Sequence, residues 1–290
     1  MLIWFIGTWF IWGNMAKNFK ERWFNIVQYS LEDEYKDNLE ELKKADIVFV
    51  AVPTPTKNRK FDRSVLENAI ENTVPWQKIV IKSTILCWTT DYLQEKYPDR
   101  YFFHSAEFLT ERNAKWDVDK PSRNVVWYTE ISKPYAQDIM DILPEATNWN
   151  IFCTAKESEM WKYASNFLLT AKILMANLIY DLCEKYHINY ENVKDIASKD
   201  DRIWPAHLNV VFEWWRWANW HCFPKDLAAF HEMYCNWVYE QKYGDWDILL
   251  ESLERYNARL NIGTDKQVDI IRDVLWEDFI NNMMWEWEEY

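Results

Sequence analysis

L-I-W-F-I-G-T-W-F-I-W-G, Leu2 to Gly13, is the stretch on which the reading of the fold turns. Leu2 to Ile6 is a continuous apolar run of strand length, Gly7 follows at once, and a helical pattern then continues through Arg22. Strand, tight turn and helix in that order open a doubly wound α/β sheet, and a turn that receives a dinucleotide there reads G-x-G-x-x-G. Those glycines belong at positions 7, 9 and 12. Gly7 is in place, and Trp9 and Trp12 occupy the other two.

Moving outward, the next apolar runs are Asn25 to Leu31, Asp46 to Val52 and Lys78 to Ile85, with helical patterns between them at Leu39 to Lys44 and Ser64 to Asn72. Further strands are expected at Tyr101 to His104, Asn124 to Tyr128 and Asn150 to Cys153. Apolar runs that are continuous rather than alternating, separated by helices, indicate a parallel sheet covered on both faces. Residues 1–155 are therefore expected to form one Rossmann-type domain.

Glu157 to His187 contains no Gly or Pro, has apolar residues recurring at three and four, and is rich in helix formers, which predicts one long helix. Lys162 and Asn166, four apart, project from the same face, where an amine and an amide could hold one substrate oxygen. The same pattern also reads as a core helix with a solvated polar edge. Helices at Tyr190 to Ser198, Pro224 to Trp237 and Trp246 to Leu260 follow, so residues 156–275 read as the long helix and a smaller all-helical domain, and 276–290 as an acidic tail.

Composition narrows the function. A net charge of −13 argues against a nucleic-acid partner, because phosphate binding needs a basic face. The 5 cysteines are odd in number and lack C-x-x-C spacing, which argues against a disulfide framework or a structural zinc site and suits a reducing cytoplasm. No apolar run approaches the roughly 18 residues of a membrane span, and the apolar start has no basic segment before it. One anomaly outweighs these: the chain has 4 Gly where average usage predicts roughly 20, and it has 20 Trp. Tryptophan stands where turn chemistry expects glycine, as in Val74-Pro75-Trp76-Gln77 and Cys87-Trp88-Thr89.

His221 to Leu227, H-C-F-P-K-D-L, carries the sharpest chemical feature. Pro224 suits the first turn of a helix, which places Cys222 at its N-terminus, where the helix dipole and nearby Lys225 favour a thiolate. A nucleophilic Cys222 and an unreactive one are both open at this level, whereas Cys183, inside the apolar pattern of the long helix, reads as a core residue. Asp226 lies one turn on, able to polarise water or a neighbouring base.

Five segments, A-V-P-T-P-T (Ala51 to Thr56), K-S-T (Lys82 to Thr84), E-F-L-T-E (Glu107 to Glu111), K-Y-A-S-N (Lys162 to Asn166) and C-F-P-K-D (Cys222 to Asp226), occur in an order and spacing that resemble the UDP-glucose/GDP-mannose 6-dehydrogenases. The resemblance covers roughly residues 1–265; the family's chains continue into a third, nucleotide-binding domain that this sequence does not include. It implies oxidation of a sugar C6 alcohol to a carboxylate with two NAD, through a thiohemiacetal and thioester on Cys222. It implies further that Lys162 and Asn166 stabilise the oxyanion, that Glu107 and Glu111 act in hydrolysis and ligand positioning, and that Thr84 and Asp226 orient water. By the same resemblance NAD contacts Gly7, Phe10, Ile11, Ser30, Thr54, Thr84 and Glu111, no metal takes part, and a cytoplasmic homodimer forms through helix 157–187. Two other readings remain: a 3-hydroxyacid or 6-phosphogluconate type dehydrogenase, which needs no thiol, and a non-catalytic scaffold.

The departures from the family pattern are concentrated in one residue type. Trp9, Trp12, Trp88, Trp215, Trp217 and Trp220 stand at family glycine positions, and Trp23, Trp76, Trp127 and Trp204 are read the same way. Cys87 replaces a Pro, Asn219 a Gly and His221 a small hydroxyl residue, while Ser30 stands where an acid would bind ribose, with Glu32 and Asp33 as substitutes. Each non-glycine residue forced to positive φ costs about 1–2 kcal/mol. The expectation is a scaffold under strain with a hindered cofactor turn.

Overall fold

Continuous apolar strands bury both faces, and the first run does so as β1 (Leu2–Ile6), in which Ile3, Trp4, Phe5 and Ile6 are all buried. The computed structural model describes residues 1–7, 10–32, 34–58, 60–106, 113–210, 216, 218, 222–238, 245–262 and 268–275, without the side chains of 10–12, 222, 236–238, 245 and 268–270. It separates into two units, residues 1–54 with 62–162 and residues 55–61 with 163–290. The sequence reading puts its boundary at 155; the division instead falls inside the long helix, after Lys162.

In the first unit β1 pairs in parallel with β2 (Asn25–Tyr29) on one side and β3 (Ile47–Val50) on the other. Numbering the short strands Thr56–Lys57 and Lys60–Phe61 as β4 and β5, the sheet continues through β6 (Lys78–Ile81), β7 (Tyr101–His104), β8 (Arg123–Tyr128) and β9 (Trp149–Thr154). The order is β2-β1-β3-β6-β7-β8-β9. All pairings are parallel except β7 with β8, where a wholly parallel sheet is expected.

The first helix, α1 (Phe10–Glu21), packs Met15, Ala16 and Phe19 on the sheet. The Phe19 ring meets Phe5 and Phe49 edge-on at 5.5 Å, and those two stack at 5.0 Å between adjacent strands. Helix α2 is Ser64–Glu71, α3 is Thr89–Lys96, α4 is Ala114–Asp119 and α5 is Ala136–Ile142; the pattern read as helix at 39–44 is a 3-10 helix, Lys36–Lys44.

Helix α6 (Ala155–Lys185) is the long helix, two residues earlier than the expected 157–187. An 18-residue stretch within it is long and apolar enough to cross a membrane, a property the search for unbroken apolar runs misses because polar residues interrupt it. The second unit holds α7 (Tyr190–Ala197), α8 (Cys222–Val238), α9 (Asp245–Ile262) and α10 (Val268–Val274). Ala228 and Ala258, both wholly buried, join Ile271, Val274 and Leu275 in one cluster, and Leu174, Leu227 and Leu253 form another. The β4–β5 hairpin belongs here: Phe61 N donates to Glu232 Oε2 at 3.2 Å and Asn58 N to Asp273 O at 3.2 Å.

Three tryptophans take backbone conformations suited to glycine. Trp23 (φ 66°) follows α1, where Phe24 N bonds Phe19 O and Trp23 N bonds Lys20 O, the paired bonds of a Schellman helix end. Trp76 (φ 70°) is the third residue of the Val74–Gln77 turn after Pro75, and Trp88 (φ 70°, ψ 2°) the third of Leu86–Thr89, the position where a type II turn takes glycine. Their side chains are 96%, 72% and 58% exposed, so burial returns little against the backbone strain.

Candidate active site

In the first unit the chain leaves β1 at Gly7, between the carboxyl ends of β1 and β3, where strand order reverses and open α/β sheets bind ligand. Gly7 has φ 90°, and a Cβ there would lie 2.1 Å from the carbonyl oxygen of Ala51, so both conformation and space require glycine. The segments after β3 and β6 are tied together around this crevice. Ser83 Oγ accepts from Val52 N at 3.0 Å and donates to Val52 O at 2.7 Å, and Thr54 Oγ1 donates to Thr84 O at 2.7 Å.

Behind these loops lies a polar cluster that the sequence reading did not single out. His104, wholly buried at the end of β7, meets Ser83 O through Nε2 at 3.2 Å and Ser158 Oγ through Nδ1 at 2.9 Å. A carbonyl only accepts, so Nε2 carries the proton and Nδ1 accepts from the serine. Burial, reinforced by nearby Lys82 and Lys162, pushes the His104 pKa down to about 3, which keeps it neutral. Lys82 Nζ donates to Ser105 Oγ at 3.2 Å and lines a cavity of about 480 Å³ with Met15, Ala106, Asn113 and Asn124. Glu159 on α6, also buried, accepts from Trp88 N, Thr90 N and Thr90 Oγ1 at 2.6–2.9 Å and so caps α3; burial raises its pKa to about 7. Nothing in the single sequence pairs Glu159 with Thr90, because the contact closes 69 residues of chain.

In the second unit α8 begins at Cys222, with Pro224 in its first turn, the placement expected from the sequence. Asp226, 1% exposed, receives Asn166 Nδ2 on Oδ2 at 2.5 Å, and its Oδ1 has Lys225 Nζ at 3.6 Å. Among the described residues no group lies within hydrogen-bond distance of that Oδ1. A buried carboxylate oxygen at the start of a helix, with a cation beyond bonding distance, can accept from water or from a substrate hydroxyl.

Residues 24–139 match the NAD binding domain, and residues 156–246 the central domain, of the UDP-glucose/GDP-mannose dehydrogenase family. The chain belongs to that family. UDP-glucose 6-dehydrogenase of Rickettsia bellii (strain RML369-C) is 30% identical over 249 residues, 81% of this chain and 55% of that protein. The chain spans about half the length of the curated relatives it matches. In fold it is similar to a UDP-glucose dehydrogenase from the archaeon Pyrobaculum islandicum, with a TM-score of 0.75 at 20% identity over 89% of this chain and 68% of that one. It is similar also to 3-hydroxyisobutyrate dehydrogenase of Mycobacterium tuberculosis, with a TM-score of 0.69 at 14% identity over 97% and 98%.

Against the family pattern, the first unit holds Gly7, Ser30, Thr54, Thr84 and Lys162, and the second holds Asn166, Asp226 and the start of α8 at Cys222. Gly7, Thr54 and Thr84 come together at the β1–β3 crevice and its flanking loop. Ser30 follows β2 and its Oγ accepts from Glu32 N at 3.3 Å, while Glu32 borders a hollow of about 330 Å³ with Gly13, Lys17 and Gln28. Phe10 and Ile11 are in α1 with side chains outside the described set; Glu107, Glu111, Trp9 and the acidic tail 276–290 lie outside the described residues. Asn166, on the face read from the sequence as able to hold a substrate oxygen, is 7% exposed and donates to Asp226. The turn fits the family's dinucleotide at Gly7, where the absence of a Cβ lets backbone pass close to backbone.

Proposed function

We propose that this chain oxidises the C6 alcohol of a nucleotide sugar to the carboxylate of a uronic acid in two NAD-dependent steps, with Cys222 as nucleophile. The observation that supports it most is the joint match to both family domains, with α8 opening on Cys222 and the buried Asn166–Asp226 pair one turn along. Gly7, Phe10, Ile11, Ser30, Thr54, Thr84 and Glu111 would hold NAD, which when bound accepts the hydride of each oxidation. The Cys222 thiolate adds to C6 of the aldehyde, and the thiohemiacetal oxygen carries the negative charge that Lys162 and Asn166 stabilise by donation. Oxidation of that adduct leaves a thioester. Water held by Asp226 and Thr84, with Glu107 and Glu111 assisting, attacks the thioester carbonyl; the C–S bond breaks, the acid is released and the thiolate is regenerated.

The test follows NADH formation with UDP-glucose and with GDP-mannose before and after iodoacetamide. A thioester route requires that alkylation of Cys222, or Cys222→Ala, abolish uronate formation. Activity that survives on a 3-hydroxyacid favours the second reading, a simple hydride-transfer dehydrogenase, for which the likeness in fold to 3-hydroxyisobutyrate dehydrogenase over nearly both whole chains speaks.

The homodimer expected through the long helix has physical support in α6 itself. Leu168, Met175 and Leu182 recur at heptad spacing, with Leu178 and Ile179 between them, and each is 43–60% exposed. Light scattering on the unmodified chain and on Ile179→Glu tests it: a dimer that the charge converts to a monomer is expected, and an unmodified monomer removes the proposal.

A further inference from the structure

We propose that His231, Cys235 and Asp247 form a site for a thiophilic divalent cation of the zinc class. His231 and Cys235 are one turn apart on α8 and present donors on one face; Asp247 comes from the first turn of α9. His231 Nε2 lies 2.7 Å and Cys235 Sγ 2.9 Å from the same oxygen, Asp247 Oδ1, and the three donor atoms fall within 4.8 Å of one another. On the other side of the imidazole Nδ1 meets Glu254 Oε2 at 3.1 Å. Both partners are carboxylate oxygens, which only accept, so without a metal the ring donates from Nδ1 to Glu254 and from Nε2 to Asp247. Nδ1 keeps its bond when Nε2 gives up its proton to a metal, as an outer carboxylate holds a metal-bound histidine.

The donor set selects the ion. Nitrogen, sulfur and one carboxylate oxygen suit zinc, whereas magnesium and calcium take oxygen alone. On binding, the thiol and any Nε2 proton leave to solvent, and thiolate plus carboxylate balance the two positive charges. Donors around a tetrahedral zinc stand about 3.4 Å apart, so to admit the ion the Asp247 carboxylate has to swing outward from both partners. It can do so, since its side chain is 51% exposed while His231 is 3% exposed. Water would complete the fourth position, and the ion would clip α8 to α9 in a chain whose charge of −13 already attracts cations.

The experiment titrates Zn2+ and Co2+ separately into chelator-treated full chain. Expected are one tight equivalent, a higher Tm with bound zinc, and in the cobalt form the intense absorption of a tetrahedral site with thiolate charge transfer. Cys235→Ser should erase the charge-transfer band, and Cys235→Ser and Asp247→Asn should each weaken zinc about tenfold or more. Both side chains are partly exposed, so these variants are expected to fold. A cobalt spectrum without thiolate bands, or zinc affinity unchanged in either variant, overturns the site.

A separate observation carries a second inference. Trp23 at a Schellman end and Trp76 and Trp88 at the third position of type II turns share one feature, a backbone slot for glycine, in a chain with 20 Trp and 4 Gly. We infer that the working polypeptide carries glycine at 23, 76 and 88. A codon read as tryptophan under one genetic code and as glycine under another, as UGA is, makes that exchange at every such site at once. Peptide masses of the protein isolated from the cell that carries its gene decide it: glycine masses across 23, 76 and 88 are expected, and tryptophan masses refute it. As a second measure, Trp23→Gly, Trp76→Gly and Trp88→Gly should each raise the Tm of the recombinant chain, and a lowered Tm in all three counts against the inference.

Discussion

The side-chain amide of Asn166 on α6 donates to the Asp226 carboxylate on α8 at 2.5 Å, both residues being buried. Removing the donor leaves a buried carboxylate with one fewer partner, and a hydrogen bond to a charged group contributes about 1.5–3 kcal/mol. Asn166→Ala is therefore expected to lower stability by about that amount in addition to slowing turnover. Urea unfolding of Asn166→Ala, Asp226→Ala and the double variant measures the coupling. Additive losses would show that the two side chains do not support each other.

His104 and Glu159 should give opposite pH dependences. The His104 pKa is lowered from 6.5 to about 3 by burial, so the unfolded chain takes up the proton first; its contribution is complete above pH 6.5 and is lost as pH falls toward 3. The Glu159 pKa is raised from 4.5 to about 7, so the folded chain takes up the proton first, and stability is lost as pH rises from 4.5 to 7. Each slope is at most about 1.4 kcal/mol per pH unit, and between pH 4.5 and 6.5 they oppose one another. Stability should fall with acidification in Glu159→Gln and rise in His104→Gln across that interval. Parallel curves for the two variants would contradict the assignment.

These pairs mark the boundary of what the sequence shows. β1, β3 and β6 were legible because buried parallel strands are unbroken apolar runs, and α6 because a long stretch without Gly or Pro keeps helical period. α3 and α5 were missed: each is short, and α3 starts from a cap supplied by Glu159, remote in sequence. The start of α8 at Cys222 was readable from Pro224, a local rule. The role of Asn166 was not, because helical periodicity locates a face without naming the carboxylate that covers it.

Thiol reactivity should rank Cys222 first. Burial pushes Cys87 up to about 12, with Glu159 adding to it, and pushes Cys153 up to about 11, with Glu157 adding to it. Cys183 is 5% exposed, and the Cys235 thiol is engaged as a donor to the Asp247 carboxylate at 2.9 Å. A thiol at a helix N-terminus is shifted the other way. Iodoacetamide at mildly alkaline pH, read by peptide mapping, should label Cys222 fastest; faster labelling of Cys153 or Cys235 counts against the nucleophile assignment.

The cofactor turn supplies the last prediction. Gly7 permits the exit from β1 beneath Ala51, so the first requirement of a dinucleotide turn is met. Position 9 is where backbone must approach the pyrophosphate, and position 12 is where the helix packs on the strand. An indole at position 9 would cover the N–H groups of the helix start that should face the anion, one at position 12 would oppose close packing of helix on strand, and neither adds positive charge in return. The chain with Trp9 and Trp12 is accordingly expected to bind NAD weakly. Both residues act on one turn, so Trp9→Gly with Trp12→Gly should improve binding by more than the two single changes combined. Calorimetric titration of NAD into the four proteins of that cycle measures the coupling, and micromolar binding by the unmodified chain would mean that the turn accommodates both indoles.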